Sequence, residues 1–443
     1  MADRSAKPEG RAHKRIISDQ QKRRDIALQR QSQSRRDLQH HARQLVSLAV
    51  PLSSSSCFGA QDAVSVDQDE EISDFREKEH MDSAQFKDFA TNVDNNEVDA
   101  LEIEEENAVG MLQATKLKGS KAREWFKQQF MLPEWMVDVP SRLSEDWYVM
   151  ARPAGERCIV VSSNGATVSR LRNGHILHCF PSALPNGAKT PGVAASSQVF
   201  CILDCIFHKA DNIYYVIDMM CWRGYSLYDC NYEFRHFWIK SKLEETGIFA
   251  SPKCHRYQFS IVHAFECDKA GLERAYNGNV PFERDGCLFL NRHAHYVLGI
   301  TPLALVWKDP ASSRYHIDTD SSGNVPVYQQ VVLEFQEDGT VATSDDPKVI
   351  LGSMPPEFLR QNNQHLRTGM LLKFAIGDHG LSIVNGKPVA ADIHYQGLAN
   401  RRRAGADSVS KVLFQYAARH YPLSISHILA AIENSDNDFA MDN

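Results

Sequence analysis

Hydrophobic positions between residues 147 and 307 come in short runs, each about the length of a buried strand. The pattern predicts strands at Trp147–Ala151, Cys158–Ser162, Val199–Phe207, Tyr214–Met219, Tyr257–Val262, Gly286–Leu290 and Pro302–Trp307. A helix is expected between Asn231 and Glu245, with Phe234, Phe237, Trp238 and Leu243 on its inner side, and a short amphipathic one over Lys121–Phe130. Many strands with few helices predict an α+β core built on twisted mixed or antiparallel sheets. Beyond Pro310 the pattern continues. Strands are expected at Val327–Phe335, Met370–Phe374 and Gly380–Val384, with turns at Asp338-Gly339 and Asn385-Gly386 and helices at Ser408–Ala417 and Ile425–Ile432. This region is either a small OB-like β-barrel closing over a pocket or an appendage of the core, and residues 433–443 are expected to be loose.

Residues 11–45 are good helix formers without an interior break, yet Ile26, Leu28, Leu38 and Leu45 are too sparse to bury much surface. Such a helix is expected to form fully only against an acidic partner. Charge sharpens this picture. The net charge of −7 over 443 residues averages two opposed stretches: twelve Lys/Arg against five acids in residues 1–45, and seventeen acids against three Lys/Arg in residues 62–107. The expected layout is a basic arm (1–50), an acidic disordered linker (51–112), a core domain (113–310), a C-terminal region (311–432) and a tail (433–443).

A 43% hydrophobic content suffices for a sizeable core. The ten cysteines fall mostly in apolar runs, as in Val199-Phe-Cys-Ile-Leu-Asp-Cys205, and form no CxxC pair. They read as small buried hydrophobes, with no metal or cofactor expected. No apolar run approaches the length of a spanning helix, so a soluble, intracellular protein with no membrane partner is expected.

The chemistry concentrates in three segments. Trp147-Tyr-Val-Met-Ala-Arg-Pro-Ala-Gly-Glu-Arg157 has the outline of a strand running into a nucleotide loop, Phe200-Cys-Ile-Leu-Asp-Cys-Ile-Phe207 carries Asp204, and Phe282-Glu-Arg-Asp-Gly-Cys-Leu-Phe289 is followed by Trp307-Lys308. These segments resemble motifs I, III, IV and V of the covalent nucleotidyltransferases, the mRNA capping guanylyltransferases and ATP-dependent ligases. In that alignment Arg152 takes the nucleophilic lysine's place, Ala154 the aspartate's, Cys205 a glycine's and Ile206 the glutamate's. A guanidinium stays protonated and is a poor nucleophile, so no catalytic residue is expected. Asp204 and Asp218 can equally be the satisfied ends of two paired strands.

Met131-Leu-Pro-Glu-Trp-Met-Val-Asp-Val-Pro140, Met219-Met-Cys-Trp-Arg-Gly224 and Phe234-Arg-His-Phe-Trp238 resemble the snurportin family of nuclear import adaptors. The resemblance implies a guanylyltransferase-like fold used to hold the trimethylguanosine cap of snRNA in snRNPs. It implies stacking of the cationic base on Trp307, although one extra residue separates Trp307 from Thr301-Pro302-Leu303. It further implies Trp135 along the base edge and Arg157 and Arg172 at the triphosphate. Pro133 stands where the family has serine and Arg152 where it has cysteine. Lys22, Arg23, Arg24, Arg30, Arg35, Arg36 and Arg43 resemble an importin-β-binding arm, and an export receptor of the exportin-1 type and shuttling between cytoplasm and nucleus follow from the same likeness. The rival expectation is an active RNA guanylyltransferase or ligase using another nucleophile such as Lys308.

Overall fold

The computed structural model describes residues 20–31, 39–49, 125–187, 199–249, 256–320, 322–362, 366–384, 387–400 and 403–441. The acidic linker, Arg35 and Arg36, and the Asn385-Gly386 turn lie outside these. The described residues begin with α1 (residues 20–31) and α2 (Gln39–Ala49). Of the expected Lys121–Phe130 helix, residues 121–124 lie outside the described residues, 125–127 are helical and 128–130 turn away.

The core follows as β1 (Met131–Trp135), α3 (Leu143–Asp146), β2 (Trp147–Pro153), β3 (Glu156–Ser163), β4 (Ala166–Leu171) and β5 (Ile176–Phe180). Next come β6 (Cys201–His208), β7 (Ile213–Trp222), β8 (Tyr225–Ser226), α4 (Tyr232–Glu244) and β9 (Gln258–Ile261). β10 (Ala264–Glu266), α5 (Lys269–Asn277), β11 (Arg284–Asn291) and β12 (Gly299–Trp307) complete it. The first sheet has the order β1-β12-β11-β2-β10, with β1 and β12 parallel. The second runs β5-β4-β3-β6-β7-β8, and β9 adds to β7 in parallel. The fold is α+β.

Strict alternation gives each strand of the first sheet two apolar faces. Met150, Leu288, Leu290 and Ala304 meet Ile159, Val161, Ile202 and Ile206 of the second sheet. Val149, Cys287, Phe289, Leu305 and Trp307 face the other way, into a separate core with α5 and the C-terminal helices. The site lies between the two sheets.

The C-terminal region holds β13 (Gln329–Phe335), β14 (Thr340–Ala342), β15 (Ile350–Ser353), α6 (Pro356–Asn362), β16 (Leu371–Val384) and β17 (Lys387–Leu398). It ends with α7 (Val409–His420) and α8 (Ile425–Met441). Its sheet has the order β15-β14-β13-β16-β17, antiparallel throughout. The two edge strands curl toward each other, so that a Cβ on Gly352 of β15 would fall 2.6 Å from Ile393 Cδ1 of β17.

Several expectations are corrected. Met370–Phe374 and Gly380–Val384 fall on one long strand, and α8 runs to Met441, into the stretch expected to be loose. α4 buries Tyr232, Arg235, Ile239 and Leu243, leaving Phe234 and Phe237 exposed. A buried acid has drawn Arg235 inward and turned the expected aromatic face out. β1, β4 and β5 were not expected from sequence. For β3–β4 the signal was present: Asn164 and Gly165 both take positive φ, 50° and 81°, as the tight hairpin turn requires.

Candidate functional site

A narrow cleft between the first and second sheets is walled by Met131 and Pro133 of β1, Arg157 of β3, Asp204 of β6, Asp218 of β7 and apolar residues of β11 and β12. Asp204 and Asp218 are cross-strand partners in register. Two carboxylates side by side would repel, and each is held by its own arginine. Arg157 Nε and Nη2 donate to Asp204 at 3.0 and 2.6 Å, and Arg235 Nε and Nη2 donate to Asp218 at 2.8 Å each. The Tyr296 hydroxyl adds a third bond to Asp204 at 2.6 Å. Burial works against the charge on Arg157, but Asp204 outweighs it and holds the guanidinium more firmly protonated than a free arginine. Asp204 and Asp218 are therefore satisfied strand residues.

Arg157 lines the cleft, but its donors are largely spent. Besides Asp204, Nη2 donates to the Met131 carbonyl at 2.7 Å. Sequence reasoning missed Arg235 and Tyr296. The signal was the pair of acids inside apolar strands, since buried charges demand charged partners.

Asp285 centres a second cluster. Arg152 pairs with it, Lys308 Nζ donates at 2.5 Å and Ser313 Oγ at 2.6 Å. Gly286, with φ at 89°, bulges β11 here, and a Cβ would fall 2.5 Å from the Trp307 carbonyl oxygen, so only glycine fits. Against the pull of burial, Arg152 and Lys308 hold Asp285 below the usual carboxylate range. Burial, reinforced by Arg152, lowers Lys308 from the usual lysine value. Lys308 Nζ lies 5.6 Å from the centre of the Trp135 ring, whose other neighbour is Phe414 of α7, with ring centroids 4.8 Å apart. Trp135 is half-buried.

Trp307 is elsewhere. It is fully buried on the face of the first sheet turned away from the cleft, and its indole Nε1 donates to the Leu423 carbonyl at 2.9 Å. The expected stacking platform is a core residue. β12 bulges against β1, running four positions from Thr301 to Leu305 while β1 runs one from Pro133 to Glu134. Beyond the bulge, alternation puts Trp307 with Leu305 on the rear face and Val306 on the other. Pro133 is tolerated because β1 is an edge strand.

Arg172, just past β4, has its Nε sealed from solvent without a hydrogen-bond partner among the described residues. Burial, then the neighbouring Arg157 and Arg403, push it down to about 10.

The arm divides. Gln20 and Arg24 of α1 are buried against the core, and Arg24 Nη2 donates to Asp138 Oδ1 at 2.8 Å. Gln20 Oε1 accepts from the backbone of Val137 and Asp138 at 3.3 and 3.1 Å. Arg23 pairs with Glu134 at 2.8 Å, and Gln31 donates to the His293 carbonyl at 2.6 Å. α2 sinks Ala42, Leu45, Val46 and Ala49 into the core. That corrects the expectation of an arm unable to bury surface: these four positions follow helical spacing (i, i+3, i+4, i+7). Lys22, Arg30 and Arg43 are exposed. Among the described residues no cluster of three His, Cys, Asp or Glu is placed to hold a metal.

Residues 129–310 match the family described as Snurportin1, m3G cap-binding domain. Over this span the chain is snurportin-1-like. The snurportin-like span includes every residue of the cleft and of the Asp285–Lys308 cluster except Ser313. Among solved structures, a mycobacterial DNA ligase D complexed with ATP and MES shares 12% identity at a TM-score of 0.31, over 63% of this chain and 97% of that one. The ligase domain of ligase D from M. tuberculosis gives 12% and 0.30 over the same shares. A Lig E DNA ligase gives 13% and 0.27 over 61% and 98%.

Proposed function

We propose that this chain is a nuclear import adaptor that holds the 5′ trimethylguanosine cap of spliceosomal snRNAs and links their snRNPs to importin-β, without catalysing a reaction. The snurportin-like match over the cleft carries this reading. The arginine clamps on Asp204 and Asp218 support it, because they occupy carboxylates that metal-assisted nucleotidyl transfer would need. Trp135 is the better candidate for the base. A cation already rests against its ring, and an N7-methylated guanine would bring a larger, flatter cation to the same face. Pro133 forms wall, Arg152 shapes the charge at Asp285, and Arg157 and Arg172 face the phosphates. The basic arm recruits importin-β through its outward cations Lys22, Arg30 and Arg43. An exportin-1-type receptor returns the adaptor to the cytoplasm, so it shuttles. We read the C-terminal region as an OB-like unit, a reading supported by its five-stranded antiparallel sheet of order β15-β14-β13-β16-β17.

Tryptophan fluorescence titration with trimethylated, monomethylated and unmethylated cap dinucleotides tests the cap reading. Tightest binding of the trimethylated cap is expected, and Trp135→Ala should weaken it by about tenfold or more. Equal affinity for all three caps, or none, would sink it. One observation favours the enzyme reading: Lys308, bonded to Asp285, is an amine whose pKa burial lowers. Incubation with labelled GTP or ATP and a divalent metal decides between them, because a stable adduct on Lys308 overturns the adaptor reading.

A further inference from the structure

The C-terminal region touches the cap domain near Arg172. Gly405 packs on Lys127, a Cβ there falling 2.6 Å from Lys127 Cε, and Phe126 packs beneath Gly174 in the turn that carries Arg172. The loop at 403–407 and the turn at 172–174 thus flank one short segment. The charges there do not balance. Arg157 has Asp204. Arg403 pairs with Asp407, which Lys411 also holds at 3.0 Å while reaching Asp318 at 2.7 Å. Among the described residues Arg172 has no carboxylate bonded to it, and its sealed Nε has no partner. A desolvated guanidinium with two more guanidiniums near it is costly unless an anion arrives.

We propose that Arg403, supplied by the C-terminal region, joins Arg172 and Arg157 in an anion subsite that takes the phosphates of a capped RNA. The subsite extends the cap reading by giving residues beyond 310 a part in binding. Arg172 and Arg403 offer planar N–H donors to phosphate oxygens, and Arg157, whose Nε and Nη2 are held by Asp204 and the Met131 carbonyl, adds its charge. Arg403 is held so that it can be shared: Asp407 fixes it from one side, and Asp407 keeps Lys411 if Arg403 turns to a ligand.

Calorimetric titration of the full chain provides the test, with four probes: inorganic tripolyphosphate, the trimethylguanosine nucleoside, the trimethylated cap dinucleotide and a trimethyl-capped oligonucleotide. Arg172→Gln and Arg403→Gln should each weaken tripolyphosphate and the phosphate-bearing caps by about tenfold, while nucleoside binding stays within about twofold. Arg403→Lys should recover part of the loss and shows that the fold tolerates the position. Loss on the dinucleotide places Arg403 on the cap's phosphate bridge. Loss confined to the oligonucleotide places it on the RNA backbone. If Arg403→Gln binds all four probes as the unaltered chain does, the subsite is refuted. If the nucleoside fails to bind but tripolyphosphate binds and depends on Arg403, the subsite stands and the cap reading falls.

Discussion

Arg157 shows how a charged residue's place can be legible while its bonding partners are not. Its place at the cleft was legible, because the residues around it resemble a nucleotide loop. Its partner was not legible, since Asp204 lies 47 positions away and only strand pairing brings them together. Removing one member of a buried pair leaves the other charge unpaired, at a cost of roughly 3–5 kcal/mol. Arg157→Ala should therefore lower the chemical-denaturation stability by about that much. The double variant Arg157→Gln, Asp204→Asn should lose less than either single change, because two neutral amides can still bond. If the double loses the sum, the pair is not a coupled unit. Trp307→Phe separates core from site in the same way. It should lower the melting temperature, through the lost bond to Leu423, while cap affinity stays within about twofold.

At the scale of elements, the helices of the arm were foreseen but their destination was not. The reason is physical: helical propensity is local, whereas docking depends on Glu134 and Asp138 lying along and just beyond β1. Leu45 is fully buried, so Leu45→Ala should cost roughly 2–5 kcal/mol of stability in urea titration. A change near zero would mean that α2 detaches freely. Asp138 supplies a pH test. Burial pushes its carboxyl up to about 7, and the Arg24 charge only partly offsets this. The folded state therefore holds the Asp138 proton more tightly than the unfolded state does, where the pKa is about 4. The stabilisation is full below about pH 4 and is lost as pH rises through 7. Thermal melts between pH 4.5 and 8 should show that decline, and Asp138→Asn should flatten it. α4 teaches a related lesson. Its apolar face was misassigned because hydrophobicity favoured Phe234 and Phe237, whereas the acid at 218 required Arg235 inside.

At the scale of the whole molecule, the strand runs of the core were legible because both sheets are buried on two faces and leave continuous apolar stretches. The C-terminal helices were legible too, but not that they close the back of the first sheet with Leu413, Phe414, Ile428 and Ile432. A chain ending at residue 400 should therefore expose Trp307 and Trp135 together. Its tryptophan emission should shift to the red and quenching by iodide should rise; an unchanged spectrum would mean that these helices cover neither ring. The bulge in β12 has a wider consequence. Since alternation beyond it sets which of Val306 and Trp307 faces the rear, deleting one residue from the stretch 302–304 would turn the indole toward the cleft and leave a hole in the rear core. Such a deletion trades stability for a second aromatic surface: the parity of one strand decides whether the same tryptophan holds the protein together or faces a ligand.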